Sequence, residues 1–242
     1  GRMDFDNESL LACFLGEEAE VEKWVEKLPD RDNGRKRSDI FEYRLEEADK
    51  QREEGNELFK KGEYEAAIQL YFKGIYHLDF DVGQQWNMME KHQLDLNTRK
   101  LKVLSNICAG YLKSRDWVNT KKAADIGLRH LEKSELKDAE AKAKFLYRKG
   151  MANIERGFTE DAYEAFRLAL TENPGDRAIR EALAKASQGK KDDAAKAKQV
   201  WKSKLLTTEE KACRGSWLEP QVAAARIRTR LRQMCCRRRK TA

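Results

Sequence analysis

Small and apolar residues recur along the middle of the chain at helical spacing, and they recur in one order. From about residue 48, Gly55, Leu58, Gly62, Tyr64, Ala67, Tyr71 and Gly74 describe two apolar-faced helices around a tight turn. From about residue 143 the order returns as Gly150, Asn153, Gly157, Phe158, Ala162, Phe166, Ala169 and Pro174. Between them Cys108, Tyr111, Trp117, Ala124 and Gly127 form a weaker copy, in which Thr120 stands for the usual Ala and Arg115 for the turn Gly. Small residues let antiparallel helices approach closely, aromatic rings fill the space between pairs, and a Pro after the second helix stops it. An ordinary amphipathic bundle would place such residues at helical spacing without a common register; here three registers agree.

Outside the copies the same periodicity predicts two more helices. Leu10, Leu11, Phe14, Val21, Trp24 and Val25 suit one helix capped by Asn7 or Ser9 and running to Leu28. Pro29 to Ser38 is a polar linker, and from about Ile40 the chain enters the first repeat helix. After Pro174, Asp176 is placed to cap a long helix from Arg177 that carries Ile179, Leu183, Ala186, Val200, Trp201 and Leu205. A terminal repeat needs such a polar-faced cap. The expected division is an N-terminal helix and linker (1–39), three copies (40–176, at about 48–81, 101–134 and 143–176), a capping helix (177–206) and a basic tail (207–242).

This pattern resembles the tetratricopeptide repeat, a helix-turn-helix unit of about 34 residues. The resemblance implies an all-α protein, a right-handed superhelical stack of three repeats closed by a long C-terminal capping helix. Copies starting near 48, 101 and 143 leave about 19 and 8 residues beyond that period. The first insertion, around Phe80 to Asn97 with Trp86, Met88 and Met89, is expected to extend a helix and its connection.

Composition agrees with a helical domain and removes several functions. The chain has 242 residues, only 3 Pro and 38% charged side chains. Its longest apolar run is Leu10 to Leu15, far below the roughly 18 residues of a membrane span. Five Cys stand at 13, 108, 213, 235 and 236 without paired spacing, which speaks against a disulfide framework or a zinc site and for a reducing, cytoplasmic home. His77, His92 and His130 fall in no metal-ligand or nucleophile arrangement, and no Gly-rich phosphate loop appears. No enzyme activity and no cofactor are expected.

Charge is uneven. Gln221 to Ala242 carry eight Lys or Arg and no acid, so removing those eight from the formal +7 leaves the preceding residues at −1. The basic character belongs to the tail.

The chemistry lies in the first helix of each copy. Arg52 and Asn56 are four residues apart, as are Lys144 and Arg148, so each pair shares a helix face, and Asn106 stands in the corresponding helix of the middle copy. These five positions resemble the two-carboxylate clamp of tetratricopeptide co-chaperones, which grips the C-terminal Glu-Glu-Val-Asp of cytosolic heat-shock proteins 90 and 70. The family places Lys where Arg52 stands; the other four positions match in type. A peptide ending in Asp presents two carboxylates close together, and burying both requires several charged or amide donors. The resemblance gives the terminal carboxylate to Arg52, Asn56 and Asn106, and the Asp side chain with neighbouring acceptors to Lys144 and Arg148. Charge-assisted hydrogen bonds of about 1.5–3 kcal/mol each, less ordering costs, imply micromolar affinity. Arg52 departs from the compact ammonium of the family, and its planar fork is expected to shift peptide preference.

Beyond the motif, Gly55-Asn56-Glu57-Leu58-Phe59-Lys60-Lys61-Gly62-Glu63-Tyr64 and Lys144-Phe145-Leu146-Tyr147-Arg148-Lys149-Gly150 look similar to the C-terminal domain of large FK506-binding immunophilins, shared by the aryl-hydrocarbon-receptor-interacting protein. The resemblance covers about residues 40 to 205. In those families an isomerase-type domain precedes the repeats; the 47 residues here are too few for one, so either the chain is a fragment or the domain is absent, and no isomerase activity is expected of the chain as given. The family's last helix sometimes binds calmodulin. The stretch Lys196 to Leu206 has basic residues around Val200, Trp201 and Leu205, a pattern that also fits a capping helix with a solvated basic face. In the tail, Arg226, Arg228, Arg230 and Arg232, then Cys235-Cys236 and Arg237 to Lys240, leave four readings open: a solvated tail, a membrane anchor, a nucleic-acid contact or an import signal. A scaffold tethered to membrane or nucleic acid by this tail is the alternative to a co-chaperone.

Overall fold

The computed structural model describes residues 10–16, 18–27, 38, 40–80 and 88–205, with side chains to 201. The linker apart from Ser38, the stretch 81–87 with Trp86, and the Arg-rich tail with Cys235 and Cys236 lie outside the described residues. The described residues form helices α1 (Leu10–Leu15), α2 (Glu18–Glu26), α3 (Phe41–Lys61), α4 (Tyr64–Leu78), α5 (Glu90–Lys113), α6 (Trp117–Lys133), α7 (Ala139–Glu155), α8 (Thr159–Glu172) and α9 (Arg177–Leu205). Two compact units divide the chain at Lys190/Lys191, within α9. The first holds the repeats as the pairs α3/α4, α5/α6 and α7/α8, each packed on the next.

Each pair turns the same way for the same reason. At the end of α3, Gly62 takes φ 86° and its N–H donates to Phe59 O (3.1 Å), while Glu63 N–H reaches Leu58 O (3.0 Å). Gly157 repeats this at φ 80°, with bonds to Ile154 O (3.0 Å) and from Phe158 N–H to Asn153 O (2.8 Å). A left-handed residue with these two bonds closes the carbonyls a helix end leaves open. In the middle copy Arg115 occupies the position at φ 61°, with Asp116 N–H on Tyr111 O (3.0 Å). The position that lacks the usual Gly thus keeps the Gly conformation. Asp116, Asp138 and Asp176 then cap α6, α7 and α9 by accepting from Asn119 N (3.0 Å), Ala141 N (2.8 Å) and Ala178 N (2.8 Å).

Within the pairs, small and large residues face one another. A Cβ on Gly55 would stand 2.6 Å from the Tyr71 ring, and one on Gly150 2.5 Å from the Phe166 ring. In the middle copy the corresponding positions are Cys108 for the Gly and Ala124 for the aromatic, and both are fully buried. Between pairs, Gly127 lies against Phe145 of the next copy, where a Cβ would be 2.4 Å from the ring. Ala169 packs with Ile179 of α9 in the same way.

Where one N-terminal helix to Leu28 was expected, there are two. Gly16 at φ 106° ends α1, and α2 starts at Glu18. The break lets both short helices lie on the second helices of the stack: Phe14 packs on Phe72 (ring centroids 5.3 Å), Trp24 on Tyr76 (6.3 Å), and Lys122 Nζ donates to Phe14 O (3.1 Å). Leu11 is 1% exposed and joins the core of the first two copies. The first insertion lengthens α5, which starts at Glu90, eleven residues before the start of the copy near 101.

Some buried polar groups follow no repeat rule. Arg44 is 1% exposed and donates to His77 O and Asp79 O (both 2.8 Å), closing the end of α4 beneath the Phe80 ring. Lys100 is 5% exposed on α5, and burial pulls its ammonium down to about 8.

Candidate peptide-binding groove

The first helices α3 and α5 run side by side with an offset of 50 residues, and their facing polar groups meet in two rungs seven residues, or two turns, apart. Asn106 Nδ2 donates to Asn56 Oδ1 (2.8 Å), and Arg99 Nε donates to Asp49 Oδ2 (2.8 Å). A groove of about 840 Å³ opens beside the first rung, lined by Arg52, Asn56, Tyr71 and Asn106 among others, a volume in the usual range for ligand sites.

Each groove side chain is held by its neighbours. Tyr71 donates its hydroxyl to Asn56 Oδ1 (2.9 Å); burial pushes that phenol up to about 12, against a smaller opposing pull from Arg52, so it stays a donor. With Tyr71 and Asn106 both donating to Asn56 Oδ1, the end of the Asn56 amide left for a ligand is its NH₂ group, a donor. Arg52 Nε lies 3.3 Å from Asp49 Oδ1 and a terminal nitrogen 3.4 Å from Glu53 Oε1, with its side chain 22% exposed. The guanidinium is therefore near the groove and already partly neutralised.

Arg52, Asn56 and Asn106 all line this groove, while Lys144 and Arg148 are not among its lining residues. Arg148 donates to Ser105 O (2.7 Å) and Ser105 Oγ (2.9 Å), next in sequence to Asn106. Lys144, 53% exposed, pairs with Glu140 of its own helix (2.6 Å). Three residues escaped the sequence reading: Tyr71, taken there only as a packing aromatic, and the pair Asp49 and Arg99. The signal for Asp49 and Arg99 was present in the offset, since 49/99 and 56/106 share the separation of 50.

Among the described residues no group of three or more His, Cys, Asp or Glu is placed to hold a metal ion, and no helix is long and apolar enough to cross a membrane. The groove sets the amides of Asn56 and Asn106 and the cations Arg52 and Lys60 beside three carboxylates, Glu53, Glu54 and Glu57.

No protein-family model matches the chain. Among curated proteins it is similar to the peptidyl-prolyl cis-trans isomerase FKBP42 of Arabidopsis thaliana, 30% identical over 170 residues, covering 70% of this chain and 44% of that protein. Peptidyl-prolyl cis-trans isomerase D of Kluyveromyces lactis is 32% identical over 148 residues, covering 61% of this chain and 38% of that protein. The chain thus spans about two fifths of the length of these relatives. Among solved structures, the C-terminal TPR-containing domain of a Plasmodium falciparum FK506-binding protein superposes with a TM-score of 0.55 at 24% identity, covering 64% of this chain and 96% of that one. Fold and register agree: the chain has the tetratricopeptide-repeat fold and is similar in sequence to part of two peptidyl-prolyl cis-trans isomerases, one of them FKBP42.

Proposed function

We propose that this protein is a cytoplasmic co-chaperone adaptor that binds the acidic C-terminal peptide, of Glu-Glu-Val-Asp type, of heat-shock protein 90 or 70. The observation that carries the reading is the Asn56 amide, whose oxygen is occupied by Tyr71 and Asn106 and whose donors stand beside Arg52 in a groove. A terminal carboxylate needs several donors converging on it as it leaves water. Arg52, Asn56 and Asn106 supply them. Lys144 and Arg148, on the next first helix, take the side-chain carboxylate of the last residue and the acceptors beside it. Both are engaged within the protein, Arg148 with Ser105 and Lys144 with exposed Glu140. Exchanging the partner of Lys144 for a ligand carboxylate costs little, because an exposed ion pair contributes only about 0–1 kcal/mol.

The test is calorimetric titration with a peptide ending in Met-Glu-Glu-Val-Asp, and with the same peptide carrying a C-terminal amide. The expected result is micromolar binding to the free acid that is lost on amidation. Lys144→Ala and Arg148→Ala are each expected to weaken binding about tenfold or more, the equivalent of one charge-assisted hydrogen bond. Equal binding of acid and amide would refute the clamp.

A further inference from the structure

Asp49 is an acid outside the groove lining but within reach of Arg52, a lining cation read above as meeting an acid. It lies on the same face of α3 as Arg52 and Asn56, three and seven residues before them, and its side chain is 33% exposed. Its two oxygens are divided: Oδ1 is 3.3 Å from Arg52 Nε, and Oδ2 accepts from Arg99 Nε at 2.8 Å. Arg99 also bonds Asp95 one turn earlier on α5, and its side chain is 26% exposed. The shorter and better-made bond of Asp49 therefore goes across the seam to Arg99, the longer one to the groove cation.

Resting on the clamp reading, we propose that Arg99 sets the affinity of this groove by holding the charge of Asp49, so that Arg52 remains available to the ligand carboxylate. An acid within reach of Arg52 is an intramolecular competitor for the guanidinium that a peptide terminus must meet, and it repels that terminus as well. A second guanidinium on the far oxygen turns the competitor into half of a neutral rung. Asp95 fixes the second guanidinium in turn by holding it on the α5 side of that rung. Arg99 is thus a positioning residue. It acts on the ligand through Asp49 and Arg52, two turns away from Asn106 on the same helix face.

The experiment is a four-cornered cycle with the peptide ending in Met-Glu-Glu-Val-Asp: wild type, Arg99→Ala, Asp49→Asn and the double variant, each also followed by thermal unfolding. Arg99→Ala is expected to weaken binding about tenfold, because Asp49 then turns to Arg52. Asp49→Asn is expected to bind more tightly than wild type, and the double variant to recover most of the loss. Recovery of binding without recovery of melting temperature separates this role from simple destabilisation. Unchanged binding in Arg99→Ala would overturn the proposal, as would a double variant as weak as Arg99→Ala, which would mean that Arg99 touches the ligand itself. If wild type binds the peptide and these outcomes follow, only this inference fails; if wild type does not bind, the clamp reading falls with it.

Discussion

Lys100 is the residue least accounted for by the repeat pattern, and its environment makes a measurable demand. It is 5% exposed on α5; burial is the main cause of its pKa falling to about 8, Asp79 opposes that fall, and Arg44 and Lys133 add to it. Between pH 8 and the ordinary value of 10.5 the unfolded chain holds a proton that the folded chain has released, so stability rises with pH across that window. Below pH 8 the penalty is fully present. Lys100→Met keeps the buried stem and removes the charge, and is expected to stabilise the protein by about 1–3 kcal/mol at pH 7, with the gain shrinking toward pH 10.5. Urea unfolding of both proteins at pH 7 and pH 10 measures it; a gap that stays constant would mean that Lys100 titrates normally in the fold. None of this was legible in the sequence, where Lys100 is one of 49 basic residues at helical spacing. Arg115 is the opposite case. Its place in the register marked it as a turn residue, and the left-handed φ of 61° follows from that place despite its side chain.

At the scale of helix pairs, the register was legible because it is a packing code rather than a propensity. Gly opposite an aromatic in the first and third copies, and Cys108 with Ala124 at the corresponding positions of the second, are two solutions to the same spacing. Gly150→Ala would set a Cβ 2.5 Å from the Phe166 ring, and α7 is packed on α6 of the preceding pair while α8 is packed on Ile179 and Ala186 of α9, so neither moves freely. The expected cost is about 1–3 kcal/mol, the usual range for overpacking a core, against a helix-propensity gain of about 1 kcal/mol for Gly to Ala. Adding Phe166→Leu is expected to return part of that cost, so the two changes are non-additive, and the midpoints of denaturant unfolding of the three variants decide it. Additive losses would show that the ring is free to swing away. The N-terminal helices were legible only as apolar periodicity. Nothing in Leu10 to Val25 marked Gly16 as a break or α4 as the surface they cover, since both depend on contacts with residues some 50 or more positions away.

In the unit ending at Lys190, burial is unequal along the stack, and this gives binding something to act on. One continuous core runs from Leu11 through the first two copies to Phe145, whereas the third copy and the start of α9 rest on two small clusters, Ala143, Leu146, Ala169 and Ile179 in one, Ala162, Phe166 and Ala186 in the other. In a stack whose repeats contact only their neighbours, stability is close to a sum of local terms, so the end with less burial opens first. Amide hydrogen exchange in α8 and the first turns of α9 is therefore expected to report opening at lower free energy than in α4 and α5. A ligand that bridges α3, α5 and α7 binds only when the third copy is in place, and at about 100 times its dissociation constant it stabilises the competent state by about 2.7 kcal/mol. Saturating peptide should then slow exchange about a hundredfold in α8, although α8 supplies none of Arg52, Asn56, Asn106, Lys144 or Arg148, and should leave local fraying at the end of α2 unchanged. Protection confined to α3 and α5 would mean that the peptide is held by Arg52, Asn56 and Asn106 alone, and that Arg148 keeps its bonds to Ser105 when the groove is filled.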